Sequence, residues 1–248
     1  MTNDAVILLS DNHRLEAGMI DIWVAEVDAL EVEVEKYERL LSTSEAARSN
    51  RFHFARDRNR YVARHGVLRH LLAAYMRCKP EHIEIDSDSK GKPQVLNRAP
   101  ETDLQFSMSH SSGLVVLAFG QSIRIGIDIE KIRAFPELRG VVGRNYTPAE
   151  IREIDSSPVS ARLEVFFQLW ARKEAILKAS GDGLSLDLRC VDVSTIRAGG
   201  GSWNLRKIEG KGLDCEFQLM DLKIAPGFAA AVATAGSRET TLRYRRYE

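Results

Sequence analysis

Gly126-Ile127-Asp128-Ile129-Glu130 and Trp170-Ala171-Arg172-Lys173-Glu174-Ala175-Ile176-Leu177-Lys178 are the two segments whose reading decides the fold. The first alternates apolar and acidic residues. On a β-strand residues two apart share a face, so Asp128 and Glu130 present their carboxylates together. The second has helical spacing, with Trp170, Glu174, Ala175 and Lys178 on neighbouring ridges and Glu174 four residues before Lys178. A helix of this kind crossing the end of the strand brings three carboxylates together beside an ammonium group. Three hard oxygen ligands suit Mg²⁺, which keeps some waters and takes phosphate oxygens as its remaining ligands. Either segment alone is ordinary: an acidic solvent face looks like the first, and an exposed Glu–Lys pair worth about 0.3–0.5 kcal/mol looks like the second. The tryptophan one turn before the acid, followed by Arg172, Lys173 and Lys178, sets the helix apart from a solvated one.

Working outward, 248 residues suit one large domain or two of about 120, either able to bury a core. The 35 basic and 35 acidic residues cancel, so no whole-chain field draws nucleic acid or an anionic membrane. Charge is segregated all the same. Between Arg48 and Arg77 stand eight arginines, no lysine and one acid, Asp57, while the stretch from Glu26 to Glu38 is acidic. Cys78, Cys190 and Cys215 are odd in number and far apart, which argues against a disulfide scaffold or zinc site and for a reducing compartment. The apolar run Ala5 to Leu9 is too short for a signal peptide, and no stretch approaches the roughly 20 apolar residues of a membrane span. A soluble, cytoplasmic protein is expected, with no membrane and no nucleic-acid partner.

Element by element, Ile20 to Val27 reads as a strand. Ser42 with Glu45 fits a capping box for a helix from Thr43, and a long amphipathic helix should run from Asp57 to Met76. Strands are expected over Ile83 to Ile85, Leu104 to Met108, Leu114 to Phe119 and Ile123 to Ile129, the middle two flanking a Ser-His-Ser-Ser-Gly turn. Residues 136–148 read as irregular. Thr147-Pro148-Ala149-Glu150 is a second capping box, and Leu163 to Ser180 is the second long helix, stopped by Gly181 and Gly183. Short strands follow at Leu188 to Val193, Trp203 to Lys207, Cys215 to Leu222 and Phe228 to Ala233. Each half carries a strand ending in acids, a long helix and short strands. The expected architecture is therefore α+β, two similar halves (1–125 and 126–248) packed closely with the site at their junction.

Three further motifs bear on chemistry. Asp86-Ser87-Asp88-Ser89-Lys90-Gly91 resembles the start of a calcium loop but fails at Lys90 and Asn97, so calcium is rejected. Lys90-Gly91-Lys92-Pro93 instead sets two ammonium groups on a glycine turn able to face an anion. In Ser107-Met108-Ser109-His110-Ser111 the adjacent Ser109 and His110 point to opposite faces of a strand, and no Gly-x-Ser-x-Gly elbow exists, so a serine nucleophile is not expected. His110 suits a phosphate contact or a satisfied structural role. The arginine-rich segment is read mainly as solvated surface or as partners of the acidic stretch, with one or two arginines free to grip phosphate.

Lys90-Gly91-Lys92-Pro93, Ser107-Met108-Ser109-His110, Gly126-Ile127-Asp128-Ile129-Glu130 and the Trp170–Lys178 segment occur in the order and spacing of the Sfp-type 4′-phosphopantetheinyl transferases. Arg51-Phe52-His53-Phe54-Ala55-Arg56-Asp57 also looks like that family, and the resemblance spans Arg48 to Leu186. It implies two α/β halves in pseudo-twofold arrangement with the active site in the cleft between them. It implies transfer of the phosphopantetheine arm of coenzyme A to a serine of an acyl or peptidyl carrier protein, in lipid or secondary-metabolite biosynthesis, with release of adenosine 3′,5′-bisphosphate. By position, Asp128, Glu130 and Glu174 would hold Mg²⁺, with Mn²⁺ as an alternative. Glu174, Lys178 and His110 would be catalytic. Arg48, Arg51, Lys90, Gly91, Lys92, Pro93, Ser109, His110 and Lys178 would bind the coenzyme. Phe135, Leu138, Val141, Val142 and Tyr146 are expected to form a docking lip for the carrier, and the chain to act as a monomer. Two other readings are a coenzyme-A-binding regulator without turnover and a nucleic-acid-binding module built on the arginine helix.

Overall fold

Leu114-Val115-Val116-Leu117-Ala118-Phe119 is apolar without alternation, the pattern of a strand covered on both faces. The computed structural model, which describes residues 15–30, 33–87, 93–96, 103–181, 187–194, 204–208, 215–237 and 240–248, shows why. In chain order the elements are β1 (Met19–Glu26), α1 (Val34–Glu38), α2 (Thr43–Ser49), α3 (Ala55–Met76), β2 (Ile85–Ser87), β3 (Pro93–Val95), β4 (Leu104–Ser111), β5 (Leu114–Gln121) and β6 (Ile125–Lys131). They continue with α4 (Leu138–Asn145), α5 (Pro148–Ser156), α6 (Arg162–Ser180), β7 (Asn204–Ile208), β8 (Cys215–Asp221), β9 (Phe228–Ala235) and β10 (Thr241–Tyr247). One sheet has the order β10-β1-β5-β4, a second β6-β9-β8-β7, and β2 with β3 forms a separate ribbon.

The expected α+β class holds, and three cores build it. On β5, Val115, Leu117 and Phe119 pack with α3 residues such as Val62, Leu68, Leu71 and Leu72. Its other face, Leu114, Val116 and Ala118, joins Ile20, Ile22, Ile125, Ile127, Ile129 and Val232 in a core shared by the two sheets. The third core lies under α6, against Ala229, Ala231 and Ala233 of β9 and Phe217 and Leu219 of β8. Small alanines on β9 let the long helix settle close to its sheet. Each half is thus one long helix over one four-stranded sheet. Both capping boxes form as read, Ser42 with Glu45 and Thr147 with Glu150. The Glu45 carboxylate also takes the buried Arg69 at 2.7 Å.

Several expectations change. The hairpin turn is only Ser112-Gly113, both at positive φ (47° and 85°), a two-residue hairpin turn with the twist such strands need, so His110 and Ser111 belong to β4. Residues 138–145 are helical rather than irregular: Leu138, Val141 and Val142 share a buried face, a pattern masked by Gly140 and Gly143. The α3 helix ends at Met76 as read, with Arg77 left-handed at its cap and Pro80 opening a short 3₁₀ turn beyond it. Residues 188–190 are likewise a 3₁₀ turn and not a strand.

β10 went unread, and it departs from chain order. It lies parallel to β1, taking residues beyond 240 into the sheet of the first half. Buried Asp21 of β1 holds it through the Arg243 guanidinium, at 2.7 and 2.9 Å. Tyr247 closes the end, its hydroxyl 3.2 Å from that of Tyr37 and 2.6 Å from His70 Nδ1. Burial, reinforced by Lys36, lowers the His70 pKa from 6.5 to about 4. The unfolded chain therefore takes up a proton below about pH 6.5 that the fold refuses until about pH 4, and stability falls through that window. We expect the melting temperature to drop between pH 7 and 4.5, and His70→Gln to lessen that drop, with His65 and His110, both also lowered to about 4, supplying the rest. An identical acid slope in the variant would remove His70 as one of its sources.

Candidate active site

The sheets meet at β4 and β6, and serine hydroxyls stand there where a backbone ladder would run. Ser107 Oγ accepts from the Ile127 N–H at 3.1 Å, and Ser111 Oγ from the Lys131 N–H at 3.0 Å. Ser109 Oγ donates to Asp128 Oδ1 at 2.7 Å, and Ser111 Oγ also donates to Glu130 Oε2 at 3.2 Å. A period of two brings all three serines to the same side of β4. Ser109, expected at the coenzyme, uses its proton on Asp128.

On β6, Ile125, Ile127 and Ile129 enter the shared core, which turns Gly126, Asp128 and Glu130 toward the other side. There α6 presses close. A Cβ on Gly126 would lie 1.9 Å from the Ala175 carbonyl oxygen and 2.5 Å from the Ala179 nitrogen. Only a glycine admits the helix at this distance, and the approach delivers Lys178 to Asp128. Gly126→Ala should push α6 off the strand, costing about 2–3 kcal/mol of stability and lowering turnover of the folded fraction. Melting and steady-state rates check this; an unperturbed variant would mean that the contact sets neither packing nor site.

Lys178 Nζ donates to Asp128 Oδ1 at 2.8 Å and to the Ile127 carbonyl at 3.0 Å. Asp128 is 4% exposed, and its other oxygen, Oδ2, is buried without a hydrogen-bond partner. Burial, then the charge of Asp128, raises the pKa of both Glu130 and Glu174, and Glu174 adds to the effect at Glu130. The three acids therefore share one field. They are not closed into a cage: among the described residues no three carboxylate, imidazole or thiol groups stand close enough to hold one ion. Lys178 occupies one side of Asp128.

Two further cations of α6 are used elsewhere. Arg172 makes two bonds to Asp221, at 2.8 and 2.6 Å. Lys173 is 0% exposed and donates to Glu150 at 2.8 Å and to the carbonyls of Leu188 and Val191 at 2.7 and 2.6 Å. Its ammonium tethers the 187–194 segment to the helix bearing Glu174. Trp170 packs near Tyr146, ring centroids 6.4 Å apart. The expected docking residues turn inward as well: Phe135 stacks on Phe166 at 5.5 Å, Val142 and Tyr146 are buried, and Leu138 and Val141 pack on the same core.

His110 stands on the opposite face of β4, at the rim of a pocket of about 270 Å³ lined by Phe52, Asp57, Arg60, Arg64 and Gly113 among others. The ring keeps part of its surface in solvent; burial of the rest, then the charges of Arg64 and Lys178, lowers its pKa to about 4. The Arg64 guanidinium lies 4.7 Å from the Tyr61 ring centroid and Arg48 5.8 Å from it, with the charge of Arg51 also felt there. Burial and the repulsion of Arg48 bring the Arg64 pKa down to about 10. Sequence reading had not separated Arg64 from its neighbours, since charge alone was its signal. Arg58 binds Glu38, and Arg60 binds Asp28 twice at 2.6 Å, the partners expected from the acidic stretch. Pro93 is exposed on β3, and Lys90, Gly91 and Lys92 lie outside the described residues.

Comparison with known proteins meets this geometry. A family model described as 4′-phosphopantetheinyl transferase superfamily matches residues 124–234, and one described as 4′-phosphopantetheinyl transferase, N-terminal, matches 28–122. The 4′-phosphopantetheinyl transferase HetI of Nostoc sp. is 35% identical over 174 residues, 70% of this chain and 73% of that protein. The chain belongs to the 4′-phosphopantetheinyl transferase superfamily. Its Bacillus pumilus relative, 4′-phosphopantetheinyl transferase psf-1, is 30% identical over 63% of this chain and 64% of its own. The mouse L-aminoadipate-semialdehyde dehydrogenase-phosphopantetheinyl transferase is 31% identical over 61% of this chain and 52% of its own. The described residues of this phosphopantetheinyl transferase include no helix long and apolar enough to cross a membrane.

Proposed function

We propose that this phosphopantetheinyl transferase moves the phosphopantetheine arm of coenzyme A onto a serine of an acyl or peptidyl carrier protein. The reaction is Mg²⁺-dependent and releases adenosine 3′,5′-bisphosphate. Residues 1–125 would supply coenzyme contacts and 126–248 the metal ligands and catalytic groups. The observation that carries the reading is Asp128: one oxygen is fixed by Lys178 and Ser109, and the other is buried and unpartnered beside two further acids. An orphaned carboxylate oxygen in the field of two further acids would suit Mg²⁺, with Glu130 and Glu174 turning toward it as the remaining protein ligands. Bound there, the ion would neutralise and orient the coenzyme's diphosphate.

The chain's own groups do the rest. Displacement at phosphorus depends on positioning and charge neutralisation more than on covalent help. Lys178, anchored at Asp128, supplies positive charge where the leaving phosphate gains negative charge. His110, neutral, offers an N–H to a phosphate oxygen without changing the site's charge. Glu174 takes the proton of the carrier serine, directly or through a water. Arg48, Arg51 and the 90–93 segment would hold the nucleotide end.

Incubation with Mg²⁺, coenzyme A and a panel of apo carriers should add one phosphopantetheine unit to the mass of at least one carrier. Omission of Mg²⁺ should abolish the gain. Coenzyme binding with no mass gain on any carrier would turn the assignment into that of a regulator.

A further inference from the structure

We propose that Ser111, together with Ser109, is a positioning residue for the two acids of β6, so that β4 of the first half fixes the direction in which the second half offers its carboxylates. This role rests on the Mg²⁺-dependent reading above. It begins from a count of donors and acceptors. A serine hydroxyl has one proton to give. Ser111 Oγ accepts the Lys131 N–H at 3.0 Å, which leaves its own proton for Glu130 Oε2 at 3.2 Å. The hydrogen bond is therefore directed and not one of several rotor choices.

Glu130 needs such a hold. It has a long, rotatable side chain, and the charges of Asp128 and Glu174 push on it. Among the described residues, Ser111 is its hydrogen-bond donor. Asp128 is fixed at two points on one oxygen, by Ser109 at 2.7 Å and Lys178 at 2.8 Å, so its orphaned Oδ2 has one direction. With Ser109 and Ser111 both satisfied, one oxygen of each acid is taken and the other is left to a cation. Ser107, third in the row, bonds only backbone and joins the sheets without touching an acid. Ser111 also follows His110 on the same strand, so one rigid element carries the pocket-facing imidazole and the support of the metal carboxylates.

The test uses the full chain without coenzyme: calorimetric titration with Mg²⁺ of the wild type, Ser111→Ala, Ser111→Thr and Ser109→Ala. Outer supports of metal ligands typically change affinity by about 10–100-fold. Ser111→Ala should raise the Mg²⁺ dissociation constant about 10-fold, while Ser111→Thr, which keeps the hydroxyl, stays within about threefold of wild type. Turnover at saturating Mg²⁺ should remain near normal, so the loss reads as a higher Mg²⁺ requirement rather than a lower kcat. Ser111 is partly exposed at the strand end, so its variants should fold even if the more buried Ser109→Ala does not. Unchanged Mg²⁺ affinity in Ser111→Ala, with the wild type binding normally, overturns the positioning role alone. A threonine variant as weak as the alanine one also overturns it, because the hydroxyl would then not be the cause. A wild type that binds no Mg²⁺ removes this role and the metal part of the functional reading together.

Discussion

Glu174→Gln is expected to lower kcat about 10³-fold while coenzyme affinity stays within about threefold of wild type, the range general-base removal gives. The substitution is nearly isosteric, so α6 keeps its packing and Lys178 its place at Asp128. What disappears is a base and one negative charge. The stability change has the opposite sign. Burial and Asp128 raise the Glu174 pKa, so above the ordinary carboxylate range its charged form is less favourable in the fold than in the unfolded chain. An uncharged amide removes that cost, and the variant should melt at or above the wild-type temperature. Rapid-quench assays with an apo carrier and a thermal melt read the two effects. Near-normal turnover would take Glu174 out of both its proposed roles; a large fall in melting temperature would mean that its contacts are structural.

The second large effect lies one residue away and is thermodynamic. Lys173→Met leaves Glu150 charged, 0% exposed and without its ammonium partner. Breaking a buried pair from one side typically costs about 3–5 kcal/mol. Burial already raises the Glu150 pKa and lowers that of Lys173, so each depends on the other to stay ionised. Adding Glu150→Gln should restore only part of the loss: it removes the unpaired charge, but a glutamine's single carbonyl oxygen accepts from the Thr147 N–H or the Val193 N–H and not from both, which the carboxylate takes on separate oxygens. Denaturant unfolding of the two single variants and the double variant measures the coupling. Turnover of the folded Lys173→Met fraction should stay close to wild type. A variant of normal stability and lost turnover would place Lys173 among the chemical groups.

That contrast shows what spacing could reveal and what it could not. Helical period put Glu174 and Lys178 on adjoining ridges, and strand period put Asp128 and Glu130 on one face; these are local rules, and the structure obeys them. The same helix carries Arg172 and Lys173 beside Lys178, and spacing alone does not say where those two go. Only the segment at 187–194 and Asp221 decide which are consumed by structure, and both lie far along the chain. The serines of β4 were legible as hydroxyls at a strand end, but their partners sit on a strand about twenty residues on, so a role at the coenzyme was as consistent as one at the acids. α4 was missed because two glycines diluted a short apolar face. β10 was missed for a different reason: alternating Leu242, Arg243, Tyr244 and Arg245 carries little apolar weight, and its partner β1 is more than two hundred residues upstream.

That last pairing has a consequence for how the molecule is made. A ribosome delivers β1 more than two hundred residues before β10, so that edge of the sheet stays open over the whole interval, with the Asp21 carboxylate held by the Tyr75 hydroxyl but not yet by Arg243. Domains that fold as they emerge normally complete in order from the front. Here the sheet of the first half is completed only when residues 241–247 have been made.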